Sequence, residues 1–218
     1  MPVGAALSDL LTDIRARRSI RTNFRREPVS REVISEILEC GLAAPSSKNS
    51  QSWRFHVVAD TDILDAIAGQ VLSAGGKDDF VPVDPLTGSA RRIYDSSVRE
   101  SAHILEQVPV AIVIENLGRF SHNRQVLAST NPMYLQNALL GYSLEMIGIG
   151  AAIENMWLAT NLLGLGAVFM RDVLIAEASI KKILHISGDI VGALGLGYYD
   201  HYPIPPKTIK DSRVRYVE

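Results

Sequence analysis

A single cysteine, Cys40, excludes an intramolecular disulfide, and its place in an apolar helical pattern predicts a buried, inert thiol. A reducing, cytoplasmic setting suits that usage. Charge of neither sign dominates: 22 Lys and Arg against 24 Asp and Glu leave a formal net charge of -2, so the totals point to no polyanionic partner. No basic stretch followed by an apolar run opens the chain, and no signal peptide is expected. The longest apolar stretch, Ile147 to Met170, is interrupted by Glu154, Asn155, Thr160 and Asn161, which argues against a membrane span.

Several catalytic signatures are also missing. There is no HExxH, no P-loop and no GxSxG elbow, and nothing marks a hydrolytic nucleophile. The histidines, His56, His103, His122, His185 and His201, are scattered, so no metal site is expected. Gly148-Ile149-Gly150-Ala151-Ala152-Ile153 lacks the last glycine or alanine of a dinucleotide fingerprint and follows no strand pattern; these glycines suit close helix packing instead.

What is present is an ordinary globular composition, 47% hydrophobic and 21% charged, long enough for one core and read as a single domain over residues 1–218. Ser8 is the expected N-cap of a first helix with Leu10, Leu11 and Ile14 on one face and Arg15, Arg17 and Arg18 at its end. Pro28 and Ser30 open a second, carrying Val33, Ile34, Ile37, Leu38 and Leu42 until Gly41 and Pro45 stop it. A strand follows over Trp53 to Ala59, then a short helix from Asp62 to Val71. Ser73 to Ser89, rich in Gly and Pro, reads as a long loop and a candidate lid. Beyond it come a helix over Arg92 to Glu106, a buried strand over Pro109 to Ile114 and a polar excursion from Asn116 to Asn131. The most apolar helix, Tyr142 to Leu163, ends at Gly164-Leu165-Gly166 and suits a subunit interface as well as the core. A strand from Ala167 to Met170, a helix from Ala176 to Ile186, a strand from Ile190 to Tyr198 and a proline-bearing tail complete the chain. These elements make an α+β class with one small sheet covered by helices.

Two stretches carry chemistry. Six arginines and no lysine fall between Arg15 and Arg26; a solvated basic face is the plain reading, and a nucleic-acid or partner-binding surface on a non-catalytic domain is the alternative. Only Phe24 is interleaved among them, which argues against single-strand stacking. Within the cluster Arg17, Arg18, Ser19 and Arg21 offer guanidinium groups and a hydroxyl suited to a phosphorylated, planar anion, and Arg17 and Arg21 share a face if the helix continues. The second stretch, Pro45 to Trp53, is a polar loop entering a strand. Asn49 and Gln51, two apart in an extended loop, would place their amides on one side.

Arg17-Arg18-Ser19-Ile20-Arg21 resembles the RRSxR of the FMN-dependent nitroreductase family, and Ala44-Pro45-Ser46-Ser47-Lys48-Asn49-Ser50-Gln51-Ser52-Trp53 resembles its APSxxNxQPW loop. Glu154-Asn155-Met156-Trp157-Leu158-Ala159 through Gly164-Leu165-Gly166 is similar to the family's long helix ending in GLG, and Pro206-Lys207 to its late basic motif. The resemblance implies a mainly antiparallel central sheet, a homodimer with FMN at the interface, and a C-terminal arm wrapped over the neighbour. It implies that Arg17, Ser19 and Lys207, with Arg18 assisting, hold the ribityl phosphate, and that Arg21 and Asn49 meet the flavin's pyrimidine edge. Pro45, Ser46 and Gln51 would belong to the same cofactor site, and the backbone from Phe169 through Met170 and Arg171 to Asp172 would lie near N5. NADH or NADPH would reduce the flavin, and a nitroaromatic, quinone or related small-molecule acceptor would reoxidise it; a specialised branch, such as a biosynthetic dehydrogenase, a dehalogenase or a flavin-fragmenting enzyme, is the alternative. The sequence departs from the pattern at Ser52, where proline is usual, at Arg171 and Asp172, where glycine or glutamate is common, and at Ile209, where an arginine is expected and Lys210 is the nearest substitute.

Overall fold

In the computed structural model the described residues are 3–76, 96–204 and 214–217, with side chains described from residue 10 onward. The tail lysines Lys207 and Lys210 and most of the expected 73–89 loop lie outside them. Four antiparallel strands form one sheet: β1 (Trp53–Val58), β2 (Val110–Asn116), β3 (Gly166–Met170) and β4 (Asp189–Gly197), in the order β1-β2-β4-β3. The period of two decides which layer each strand residue serves. In β2, Val110, Ile112 and Ile114 enter one apolar cluster with α2 (Arg31–Leu42) and α6 (Pro132–Leu162), while Ala111 and Val113 enter another with α3 (Thr61–Ser73), α4 (Ser97–Gln107) and α7 (Glu177–Leu184). The sheet therefore sits between two helical layers, the α+β arrangement expected.

Several boundaries move for local reasons. The first helix, α1 (Val3–Ala16), begins before Ser8, which is not its cap. Ser30 does cap α2, its Oγ accepting the Val33 N–H at 3.3 Å. Cys40 is exposed, contrary to the sequence expectation, because the inward stripe of α2 is Ile34, Ile37 and Gly41. The polar excursion contains a short helix, α5 (Arg124–Ser129). The long apolar helix starts ten residues earlier than its apolar period suggests: Asn131 caps it by accepting the Met133 N–H at 3.0 Å, and Pro132 sits in its first turn. No described helix is long and apolar enough to cross a membrane.

Two buried carboxylates tie loops to this frame. Glu145 of α6 is 1% exposed and accepts the Phe120 N–H (2.5 Å), the Ser121 N–H (2.9 Å), the Ser121 hydroxyl (2.6 Å) and the Asn116 amide (2.9 Å). Burial pushes its carboxyl up, but these donors outweigh burial and the net direction is down. Glu115, beside the register shift in the β2–β4 pairing, accepts the Gly188 N–H at 2.6 Å and lies 2.8 Å from His56 Nε2 and 3.4 Å from Arg54. Burial again opposes ionisation and the His56, Gly188 and Arg54 groups prevail, leaving this carboxyl below its ordinary value. A carboxyl lowered on folding stabilises the native chain above the ordinary carboxylate range and loses that contribution as pH falls through the range. Glu145→Leu, which strands four donors, is expected to cost about 3 kcal/mol or more in urea unfolding at neutral pH. Glu145→Gln should narrow the gap between the urea midpoints at neutral and acid pH; an unchanged gap would contradict the assignment.

Candidate functional site

The cationic segment is shaped by the end of α1. The Arg17 N–H closes the helix on the Asp13 carbonyl at 2.9 Å, and Arg18 Nη1 donates to the carbonyls of Arg15, Ala16 and Arg17 at 3.0, 3.1 and 2.9 Å. Arg18 thus caps a helix end whose carbonyls would otherwise lack donors. The chain then leaves the helix and docks on β3 through the Ile20 N–H and the Ala167 carbonyl at 3.0 Å, with Ile20 buried. Helical continuation through Arg21, the condition for Arg17 and Arg21 to share a face, does not occur.

The two arginines go different ways. Arg17 turns onto α6, its Nε 3.0 Å from Glu154 Oε1 and its guanidinium carbon 4.2 Å from the Trp157 ring centroid. Its terminal Nη pair has no partner among the described residues. Arg21 faces the opposite layer, its Nε 3.4 Å from Glu100 of α4 and its N–H 3.4 Å from the Tyr202 hydroxyl. Ser19 lies half-buried between them. Farther along, Arg25 pairs with Glu27 and Asp200 and Arg26 with Asp65, so acids answer most of the cluster. That compensation removes the uninterrupted positive stripe a nucleic-acid surface needs.

The polar loop is not extended. It forms a 3-10 turn over Ser47–Asn49, with Lys48, Asn49 and Gln51 at φ of 52°, 53° and 43°. Such left-handed backbone costs non-glycine residues roughly 1–2 kcal/mol each, and local bonds hold it: the Ser46 carbonyl takes the Asn49 N–H and the Ser46 Oγ takes the Gln51 N–H, both at 3.0 Å. The Asn49 and Gln51 amides do meet, Gln51 Nε2 donating to Asn49 Oδ1 at 3.0 Å, through this tight turn and not through strand alternation. Ser52 is buried, and its carbonyl accepts the Leu117 N–H at 2.8 Å. Pro45 and Ser46 close on α6 over Gly148, where an added Cβ would come within 3.3 Å of Ser46 Cβ. Between this loop, α2 and β1 lies a cavity of about 520 Å³ lined by Leu38, Leu42, Trp53, Phe55 and Arg119, among others.

At the end of β3, Phe169 is half-buried and rests on Gly192, where any side chain would collide with its ring. Met170 is core, and Arg171 is exposed with Nη1 on the Val191 carbonyl at 3.0 Å. Arg171 and Asp172 border a hollow of about 300 Å³ with Leu174 and Ile175.

Within one chain the site is split. Gly148 and Asn155, two turns apart on one face of α6, receive Ser46 and the Cys40 carbonyl, whereas Glu154 and Trp157, on the adjoining face, receive Arg17. Asn49 and Arg21 engage opposite layers. Sequence reading missed Glu154 and Trp157 as partners of Arg17; their three-residue spacing on a helix was the available signal. The donor set fits the phosphate end of a flavin mononucleotide: a half-buried guanidinium with its terminal fork unengaged by the described residues, next to a hydroxyl at Ser19.

An antiparallel sheet between two helical layers, with a cationic segment docked on its β3 edge and a strained polar loop on α6, makes up the α+β fold. The Nitroreductase family model matches residues 14–198, and the chain belongs to that family. Among solved structures, a nitroreductase with bound FMN from Desulfitobacterium hafniense superposes with a TM-score of 0.70 at 20% identity, covering 96% of this chain and 98% of that one. The 5,6-dimethylbenzimidazole synthase of Rhodospirillum rubrum is 28% identical over 198 residues, 87% of this chain and 82% of its own length. Nitrobenzene nitroreductase of Ectopseudomonas oleovorans is 41% identical over 58 residues, 27% of this chain. That match spans 24% of the relative's length, and two further curated relatives are spanned over 62% and 25% of theirs.

The seat of the cationic segment is testable at Gly166. A Cβ there would approach Tyr199 at 2.7 Å and Ile20 at 2.9 Å. Gly166→Ala is expected to lower stability by about 1–3 kcal/mol in thermal unfolding; an unchanged midpoint would contradict the seat.

Proposed function

We propose that the chain is an FMN-dependent oxidoreductase that draws electrons from NADH or NADPH and reduces a nitroaromatic, a quinone or a related small acceptor. The observation that carries this reading is Arg17: a half-buried cation on a segment bonded to the sheet, with its terminal fork unpaired among the described residues. When bound, FMN supplies the two-electron chemistry, accepting reducing equivalents from the nicotinamide and passing them to the acceptor. The protein's part is binding, orientation and charge. Arg17 and Ser19, with Lys207 and Lys210 from the tail, would hold the phosphate, and Arg21 and Asn49 the pyrimidine edge. The backbone after Phe169 would border the reactive end of the ring system. Arg18, engaged with three carbonyls, serves the segment's shape more than the phosphate.

The working form is a homodimer in this reading. Leu10, Leu11 and Ile14 on α1 and Met133, Leu140 and Ile147 on α6 are exposed, an apolar surface that a second copy would cover. A second copy would also bring an Asn49 loop to the Arg17 side of α6, which one chain does not do. The tail suits a role as an arm: Val214, Tyr216 and Val217 are highly exposed, and β1 is an edge strand with the 520 Å³ cavity beside it. A cytoplasmic setting suits this reading, given electron supply from NADH or NADPH and a single cysteine.

A second reading is favoured by one observation, the near full-length match to 5,6-dimethylbenzimidazole synthase: a specialised biosynthetic branch of the same family. Anaerobic mixing of FMN-loaded protein with NADH or NADPH separates the two. Rapid bleaching of the flavin band, restored by a nitroaromatic or quinone, supports the reductase, and no bleaching by either nucleotide contradicts it. Arg17→Ala is expected to raise the FMN Kd by about ten- to a hundredfold, and Arg21→Ala to slow flavin reduction with a smaller effect on Kd. Wild-type values in both would overturn the assignments.

A further inference from the structure

We infer that Glu154 and Trp157 are positioning residues that fix the Arg17 guanidinium as a ready-made phosphate fork. This rests on the FMN reading above and adds to it two residues that touch no ligand. A guanidinium needs two constraints to be held: one on its plane and one on its rotation within that plane. Trp157 supplies the first, with the Arg17 guanidinium carbon 4.2 Å from its ring centroid. Glu154 supplies the second by accepting the Nε hydrogen at 3.0 Å.

Among the described residues nothing engages the terminal Nη pair, and that edge is the one that matches two phosphate oxygens at once. The Arg17 side chain is only 18% exposed, far less than a solvated arginine, so its conformational freedom is surrendered before a ligand arrives. Glu154 is 45% exposed. Its charge is screened by water, and its main effect on Arg17 is directional. Trp157 acts as a surface for stacking, with the Arg17 guanidinium lying over its ring. Glu154 and Trp157 are three apart on α6, so one helix face carries the whole device.

The test is FMN affinity, followed by quenching of flavin fluorescence, with riboflavin as the ligand that lacks the phosphate. Glu154→Leu and Trp157→Leu are each expected to weaken FMN by about three- to tenfold and to leave riboflavin unchanged. Glu154→Gln keeps an acceptor and Trp157→Phe keeps an aromatic face, so both should recover most of the loss. In an Arg17→Ala background the leucine substitutions should cost nothing more. Equal losses for FMN and riboflavin, or losses that persist undiminished without Arg17, would show a general packing role and overturn the inference. If Trp157→Leu does not fold, the half-exposed Glu154 series decides alone. Wild-type protein that binds no FMN would defeat the FMN reading, whereas wild-type affinity with unaffected leucine variants would defeat only this inference.

Discussion

Burial of one side of α6 against the sheet is the constraint on which the other parts depend. This 31-residue helix carries Ile149, Ala152, Ile153 and Met156 into the cluster that coats one face of β2 and β4. Once that side is fixed, the rest of its circumference is a ruler with set positions. Gly141 admits Phe120, Glu145 gathers the loop after β2, Gly148 admits Ser46, and Glu154 and Trp157 receive Arg17. Small residues stand where backbone must approach, and polar ones stand where loop N–H groups need acceptors. A shift of α6 by one residue would misplace every one of these contacts.

The same helix explains why the candidate site is divided. Arg17 and the Ser46 loop attach to adjoining faces, so neither stretch completes a ligand pocket with the other inside one chain. Apolar residues are exposed on both α1 and α6, and in the proposed homodimer a second copy would cover them and complete the site. The strain at Lys48, Asn49 and Gln51 fits this arrangement. Three left-handed residues in one loop persist only where the surroundings over-determine them, as they do at ligand-holding turns.

Much of the fold was legible in the sequence, because continuous apolar runs such as Pro109 to Ile114 and caps such as Ser30 are local signals. The motif stretches were legible too, as residue types in order. Less legible was where local rules lose to tertiary ones. Arg17 and Arg21 are four apart and would share a helical face, yet the Ile20 N–H is taken by Ala167 and the helix ends first. Cys40 sits in an apolar pattern but beside the buried stripe. The start of α6 was hidden because most of its residues before Gly141 are exposed and polar residues precede them, although Asn131-Pro132 carried the cap. The three-residue spacing of Glu154 and Trp157 puts them on one helix face, but nothing local announces that they receive Arg17, which lies 137 positions from Glu154.

Under the proposed function these parts together would make a flavin mononucleotide site. The measurement that reaches it most directly is the visible absorbance spectrum of the freshly purified protein, followed by heat release and mass identification of the pigment. The protein is expected to be yellow and to release FMN in near-stoichiometric amount, or to become so after incubation with FMN. A colourless protein that takes up no flavin from excess FMN would contradict the proposal.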